Sequence, residues 1–377
     1  MTDDLPPNPA LLPAGMRDLL PPDAQTEASA VGVVMRVFAG HGYQRVKPPL
    51  MEFEESLLAA TGAAMADQVF RLMDPDTHRM MAIRADMTPQ IARIAATRMG
   101  HAPRPLRLSY SGQCLRVRAA GLDPDRQVAQ AGIELIGPDL PQADAEILVV
   151  GAEALAALGL TALSFDLTMP PLVPTLLDES GMPAEQIRKL SRALDRKDAA
   201  SVAEHGGALA PTLTSLLLAA GPAPRALAAL QAAELTPGAR ALATRLAESV
   251  AAIAALAPGL KLTVDPVEFR GLKYHTGVCF TIYAPGRPEE LGRGGRYICG
   301  EDEPATGLTI YPDAVLRAAP PQPSPARVYV PAGEDGHFAR VAGHATVAGL
   351  VPVADAAAEA RRLDCSHVVL GGTLHDV

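Results

Sequence analysis

Apolar residues recur at helical spacing over 24–40, at Val31, Val34, Met35 and Phe38, and Gly40 and Gly42 end the run, so a helix is predicted there. A strand then leads into Pro48-Pro49, with Glu52 just beyond. Residues 84–100 read as a turn and a second helix: Thr88 stands where an N-cap belongs, Pro89 occupies the first helical position and Gly100 terminates it. Over 104–118 the period changes to two. Leu106, Leu108 and Tyr110 alternate with Arg107, Ser109 and Ser111, the pattern of a half-buried strand. Residues 128–136 read as another strand and 142–158 as a helix. Strand patterning returns over 261–283, where Val278, Phe280 and Ile282 alternate with Cys279, Thr281 and Tyr283.

Between these stretches, 172–258 is rich in Ala and Leu and broken at Gly181-Met182-Pro183, Gly206-Gly207, Gly221-Pro222 and Pro237-Gly238, as in a helical insertion. Residues 1–10 read as a disordered leader, and no internal repeat is visible. The Pro-rich run 318–326 is a linker. The residues after it read strand, helix, strand, helix, strand. The expected organisation is a core domain over 1–317 that contains the insertion 172–258, the linker 318–326, and a short α/β domain over 327–377.

Composition narrows the function class. The 377 residues include 48% hydrophobic positions but no tryptophan and only 4% aromatics, so the core is built from Ala, Leu and Val. The formal charge of −9 disfavours a general nucleic-acid-binding surface, though it leaves room for a local basic groove. Cys114, Cys279, Cys299 and Cys365 show no zinc spacing, and no metal or cofactor is expected. The acidic, Pro-rich N-terminus lacks the features of a signal peptide, and no apolar run reaches spanning length; a cytoplasmic protein away from membranes is expected.

The candidate chemistry starts at 128–136. Alternation puts Gln130, Gly132 and Glu134 on one face of that strand and Ala131, Ile133 and Leu135 on the other. Taken alone, the polar face reads as solvated. As a site, Gly132 would let a ligand lie between Gln130 and Glu134, whose carboxylate accepts an imidazole or amine N–H. The same parity pairs Arg116 with Arg118, as a surface pair or an anion site. Asp86 lies in the turn just before the helix of the 84–100 stretch, where it either interacts with the helix dipole or binds an amino group. Gly292-Arg293-Gly294-Gly295-Arg296-Tyr297 fits neither a Walker loop nor a dinucleotide fingerprint; it is a tight turn, or a place where backbone approaches a ligand that Tyr297 lines. Neither a Gly-x-Ser-x-Gly elbow nor a His-Glu-x-x-His motif occurs, and His275 alone is a poor candidate base.

In order and spacing these segments resemble the class II aminoacyl-tRNA synthetase core, histidyl branch. Gln130 to Glu134 and Arg270-Gly271-Leu272-Lys273-Tyr274-His275-Thr276-Gly277 resemble the histidine-binding signatures of histidyl-tRNA synthetases. Residues 12–23 resemble the family's opening segment, Gly42 to Glu52 its dimer-forming motif 1, Ile83 to Thr88 its Leu-Arg-Pro-Glu-x-Thr run, and Arg116 its motif 2 arginine. The resemblance, over about 11–316, implies an α+β fold: an antiparallel sheet flanked by helices, with a helical insertion and a small C-terminal α/β unit. It also implies a histidine site made of Asp86, Thr88, Arg116, Gln130, Glu134, Arg270, Tyr274, His275 and Tyr297.

Three departures point away from catalysis. Motif 2 normally reads Phe-Arg-x-Glu but here is Leu115-Arg116-Val117-Arg118; Ala314 stands where motif 3 supplies an arginine to the γ-phosphate; and the tail after the linker is about half the length of an anticodon-binding domain. His275 also replaces the second tyrosine of the Arg-Gly-Leu-Asp-Tyr-Tyr motif. Positioned positive charge stabilises phosphoryl chemistry, so its loss costs several kcal/mol of transition-state stabilisation. This pattern resembles the HisZ family, regulatory subunits of short-form ATP phosphoribosyltransferase. That resemblance implies no catalytic residues and no aminoacylation. It implies partnership with the short catalytic subunit (HisG) in a hetero-octamer containing a self-dimer, activation of that subunit, and feedback inhibition by L-histidine, with no tRNA bound. Alternative readings are a truncated histidine-activating enzyme, a histidine-sensing module for another partner, and a scaffold with a vestigial pocket.

Overall fold

The computed structural model describes residues 11–119, 124–269, 274–321 and 325–377. The leader 1–10 and Arg270 to Lys273 therefore lie outside the described residues, as does part of the linker. The chain divides into two compact units, one running to Pro320 and one from Pro321 to Val377.

The larger unit is built on a nine-stranded sheet. In spatial order its strands are Gln44–Arg45, Leu106–Leu115, Gln127–Ile136, Glu303–Ile310, Glu290–Cys299, His275–Tyr283, Ser164–Thr168, Lys261–Asp265 and Gly221–Pro222. The pairs from Leu106–Leu115 across to Ser164–Thr168 are antiparallel. Two pairs are parallel, Gln44–Arg45 with Leu106–Leu115 and Ser164–Thr168 with Lys261–Asp265.

Helices cover both faces of the sheet centre. On one side, Ala131, Ile133, Leu135, Leu308 and Ile310 pack with Ala30, Val34 and Phe38 of helix Asp23–Gly40 and with Ile147 and Leu148 of helix Pro141–Ala156. On the other, Leu108, Tyr110 and Ile136 pack with Ile91, Ala92 and Ala95 of helix Thr88–Thr97. The Gln127–Ile136 strand is consequently buried from Ala129 onward on both faces, which rules out a solvated face for Gln130 and Glu134.

Helices Leu172–Asp178, Ala184–Asp195, Ala199–His205, Ala210–Ala219, Ala223–Ala232 and Pro237–Leu256 follow one another beside the sheet. Their leucines, among them Leu190, Leu194, Leu213, Leu216 and Leu246, join the same core as the helix-covered sheet face. A buried ion pair ties this region down. Arg296 reaches Asp144 of helix Pro141–Ala156 at 2.7 Å, and Ser249 of helix Pro237–Leu256 donates to the same carboxylate at 3.1 Å.

In the smaller unit a four-stranded sheet runs Ala345–Ala348, Arg327–Val330, His367–Leu370, Thr373–Asp376, with helices His337–Val341 and Ala356–Arg362. Its last two strands form a hairpin beyond the expected single final strand. Leu370 pairs with Thr373 across Gly371-Gly372, both at positive φ, as a two-residue turn of matching twist requires.

Several local expectations change. The first strand of the candidate site stops at Leu115, so Arg116 and Arg118 share no strand face. The 261–283 stretch is two strands, Lys261–Asp265 and His275–Tyr283. Gly292 to Tyr297 is no turn; it lies inside the Glu290–Cys299 strand. Thr88 does not cap its helix: the cap position is Met87, and the Thr88 side chain turns to the sheet. The Asp86 carboxylate instead accepts the Thr88 N–H at 2.9 Å, satisfying one of the helix's open donors.

Candidate functional site

Strand register builds the site. Glu134 pairs with Leu108 and Gly307, and Gly307 with Gly295, so these residues share a row across the sheet. The adjacent row on the same face runs Tyr110, Gly132, Thr309, Arg293. Beside Glu134 the first row holds two glycines, which leave a trough in an otherwise filled surface. A Cβ at Gly307 would lie 1.8 Å from Glu134 Oε2. Gly132 serves a different neighbour from the one expected: its missing side chain admits the Tyr110 ring, which a Cβ would meet at 2.4 Å, so Tyr110 rather than a ligand crosses that strand.

Glu134 is 1% exposed and surrounded by hydroxyls. Its Oε1 accepts from Thr88 Oγ1 at 3.0 Å and Tyr110 Oη at 3.2 Å, and its Oε2 accepts from Tyr297 Oη at 2.9 Å. Burial raises its pKa to about 8, against the opposing pull of the Tyr297, Thr88 and Tyr110 hydroxyls and with a further push from Asp86. Tyr110 also pairs with Thr309 at 2.8 Å, extending the network to the next strand.

Gln130 works behind the site. Its Oε1 accepts the Met87 N–H at 3.0 Å and its Nε2 donates to Asp86 Oδ2 at 2.9 Å, which fixes Asp86 at the rim. Tyr274 and His275 stack with ring centroids 3.9 Å apart, and Tyr274 meets Tyr297 edge-on at 6.4 Å. Asp86, Thr88, Glu134, Tyr274, His275 and Tyr297 thus line one cleft. Arg116 is not among the residues lining the cleft; it donates to the Ala85 carbonyl at 3.3 Å. Arg270 lies outside the described residues. The cleft has about 320 Å³ of empty space, its open mouth included, at the small end of the roughly 300–1,000 Å³ usual for ligand sites.

Sequence reading missed Tyr110, Arg293, Thr309 and Tyr311, of which the last three line the cleft. Tyr110 was legible only as an apolar strand position; the others needed the pairing of distant strands. Gly307→Ala should push the Glu134 carboxylate off Tyr297 and cost about 1–3 kcal/mol, as overpacking does. Urea denaturation measures it, and an unchanged midpoint would show that the trough relaxes freely.

The histidyl-tRNA synthetase family model matches residues 15–315. The chain is 56% identical over 364 residues to an ATP phosphoribosyltransferase regulatory subunit of Paramagnetospirillum magneticum, covering 96% of each. The Gluconobacter oxydans protein of that name is 54% identical, again with 96% of each chain covered. This chain belongs to the ATP phosphoribosyltransferase regulatory subunit family, within the histidyl-tRNA synthetase-like proteins. Its fold is that of the class II synthetases. A solved Bacillus halodurans structure, described as an ATP phosphoribosyltransferase regulatory subunit/histidyl-tRNA synthetase, superposes with a TM-score of 0.77 at 23% identity, covering 93% of this chain and 96% of the other. In this family context the cleft occupies the sheet face against helix Thr88–Thr97. No helix among the described residues is long and apolar enough to cross a membrane.

Proposed function

We propose that this chain is the non-catalytic regulatory subunit of ATP phosphoribosyltransferase in histidine biosynthesis, that it activates the short catalytic subunit, and that histidine bound in the cleft inhibits the complex. The buried Glu134 carboxyl carries this reading, because it stands in a glycine-lined trough open to a ligand that donates N–H. In this reading the imidazole of histidine donates to Glu134, and Asp86, steadied by Gln130, takes the α-amino group. Thr88 and Tyr297 orient the Glu134 carboxylate. Tyr274 and His275 wall the ring, and Arg116 and Arg270 supply positive charge.

The surroundings support binding without activation of the ligand. Ala314 is buried in helix Pro312–Ala318, where the family's γ-phosphate arginine is expected. The neighbouring Asp313 presents a carboxylate that accepts from Arg17 at 3.2 Å and from the Ala129 N–H at 3.3 Å. Arg118, in place of an acid, is exposed. Aminoacylation is therefore not expected, nor is tRNA or a cofactor. The expected assembly is a cytoplasmic hetero-octamer with the catalytic subunit, containing a dimer of this chain.

Phosphoribosyl transfer by the short catalytic subunit, with and without this chain and across a histidine titration, tests the reading. Stimulation by the chain that histidine reverses is the expected result. Where histidine acts by lowering substrate affinity, reciprocal linkage requires the catalytic subunit's substrates to weaken histidine binding by the same factor. No response of the rate to the chain would defeat the proposal, and histidine-dependent exchange of pyrophosphate into ATP would replace it with an activating enzyme.

A further inference from the structure

The cleft is bipolar. Glu134 and Asp86 line it from one side, and Arg293 brings a guanidinium to the other. Arg293 lies one row along and two strands across from Glu134. Spacings of about 4.8 Å per strand and about 3.4 Å per residue put their Cα atoms roughly 12 Å apart. Two long side chains rising from those corners leave between them a gap of amino-acid length.

Arg293 is also held in place. Glu290, three residues earlier on the same strand, accepts from Nε at 3.0 Å and from Nη2 at 2.6 Å, a paired grip on one edge of the guanidinium. Among the described residues no hydrogen bond uses Nη1. The grip fixes the plane of the group and leaves a charged donor edge free beside the cleft, whose other charged lining is acidic or imidazole.

Building on the histidine-pocket reading above, we infer that Arg293 receives the α-carboxylate of the bound amino acid and makes the site selective for the free acid over derivatives that lack that charge. Glu134 and Asp86 alone would favour any cationic imidazole compound, including a decarboxylated or esterified one. Arg293 corrects that preference: a ligand with no carboxylate leaves the guanidinium partly desolvated and unmatched, and unmatched polar groups are what produce strong discrimination. Lysine would be a poor substitute, because it cannot be gripped along one edge by Glu290 while offering a second edge to the ligand.

Calorimetric titration of the full-length chain with L-histidine and with L-histidine methyl ester tests this, using the wild type, Arg293→Gln, Arg293→Lys and, as a pocket control, Glu134→Gln. Thermal melts establish that each variant is folded. The wild type should bind L-histidine at least tenfold more tightly than the ester. Arg293→Gln should weaken L-histidine by about 10–100-fold, the scale of a lost charge-assisted contact, with the ester within about twofold of its wild-type affinity. Arg293→Lys should fall between. If Arg293→Gln and Arg293→Lys both keep wild-type affinity and wild-type preference for the free acid, while Glu134→Gln abolishes binding, Arg293 has no such role and the pocket reading survives. No saturable binding of L-histidine by the wild type would overturn the pocket reading and this inference with it.

Discussion

Glu134→Gln should stabilise the ligand-free chain by about 2–4 kcal/mol at pH 7 while abolishing histidine binding. The Glu134 carboxyl has its pKa raised to about 8 by burial, whereas an unfolded glutamate titrates near 4.3. Between those values the unfolded chain releases a proton that the folded chain keeps. Stability from this group is therefore fully present below about pH 4.3, declines as pH rises, and is lost once pH passes about 8. The span corresponds to roughly 5 kcal/mol at most, and imperfect pairing of a glutamine with the surrounding hydroxyls reduces the gain. Urea midpoints for wild type and variant at pH 5, 7 and 8.5 measure it. Every other titrating group is common to both chains, so the gap between the curves should widen with pH. A gap that stays constant would show that Glu134 is ionised in the folded chain across this range. A donor ligand favours the ionised carboxylate, so histidine affinity in the wild type should also rise with pH up to about 8. A destabilising carboxyl at the centre of the core is what a binding site there would require, since functional sites commonly trade stability for activity.

Arg296→Met should destabilise the larger unit by about 3–5 kcal/mol, the usual cost of breaking one side of a buried ion pair. Arg296 and Asp144 have side chains only 6% and 3% exposed. The guanidinium also donates to the Pro138 and Leu140 carbonyls, each at 3.0 Å, just before helix Pro141–Ala156. Without it, Asp144 keeps the hydrogen bond from the Ser249 hydroxyl and the attraction of the Arg245 charge. Burial already pushes the Asp144 carboxyl upward even with Arg296 beside it. Loss of the pair should loosen the contact between helices Pro141–Ala156 and Pro237–Leu256, which hydrogen exchange would report as faster opening of both. Adding Asp144→Leu should recover much of the stability, since the penalty comes from a charge left behind. A loss below about 1 kcal/mol for the single variant would mean that water reaches Asp144. Arg296 sits on the opposite face of its strand from Arg293 and Tyr297, so the effect on ligand affinity should be smaller than the effect on stability.

The two predictions concern residues that the sequence treats very differently. Alternation over 128–136 by itself placed Gln130, Gly132 and Glu134 on one face, because side chains on a strand repeat every two residues whatever surrounds them. Helical spacing likewise located helix Asp23–Gly40, and the synthetase-like motifs identified the family. Other features were set by partners distant in the chain. Tyr110 fills the space above Gly132 and reaches Thr309, 199 residues away, because antiparallel pairing brings three strands into one register. Thr88 gives up its cap position because a buried carboxylate needs its hydroxyl. Arg293 and Arg296, three apart in one glycine-rich block, end on opposite faces, one lining the cleft and the other paired with Asp144. The raised pKa of Glu134 comes chiefly from burial under helices on both sides of its strand, with a further push from Asp86. Local periodicity fixes which way a side chain points. Packing between distant segments decides what it meets there, and with that its charge state and its chemistry.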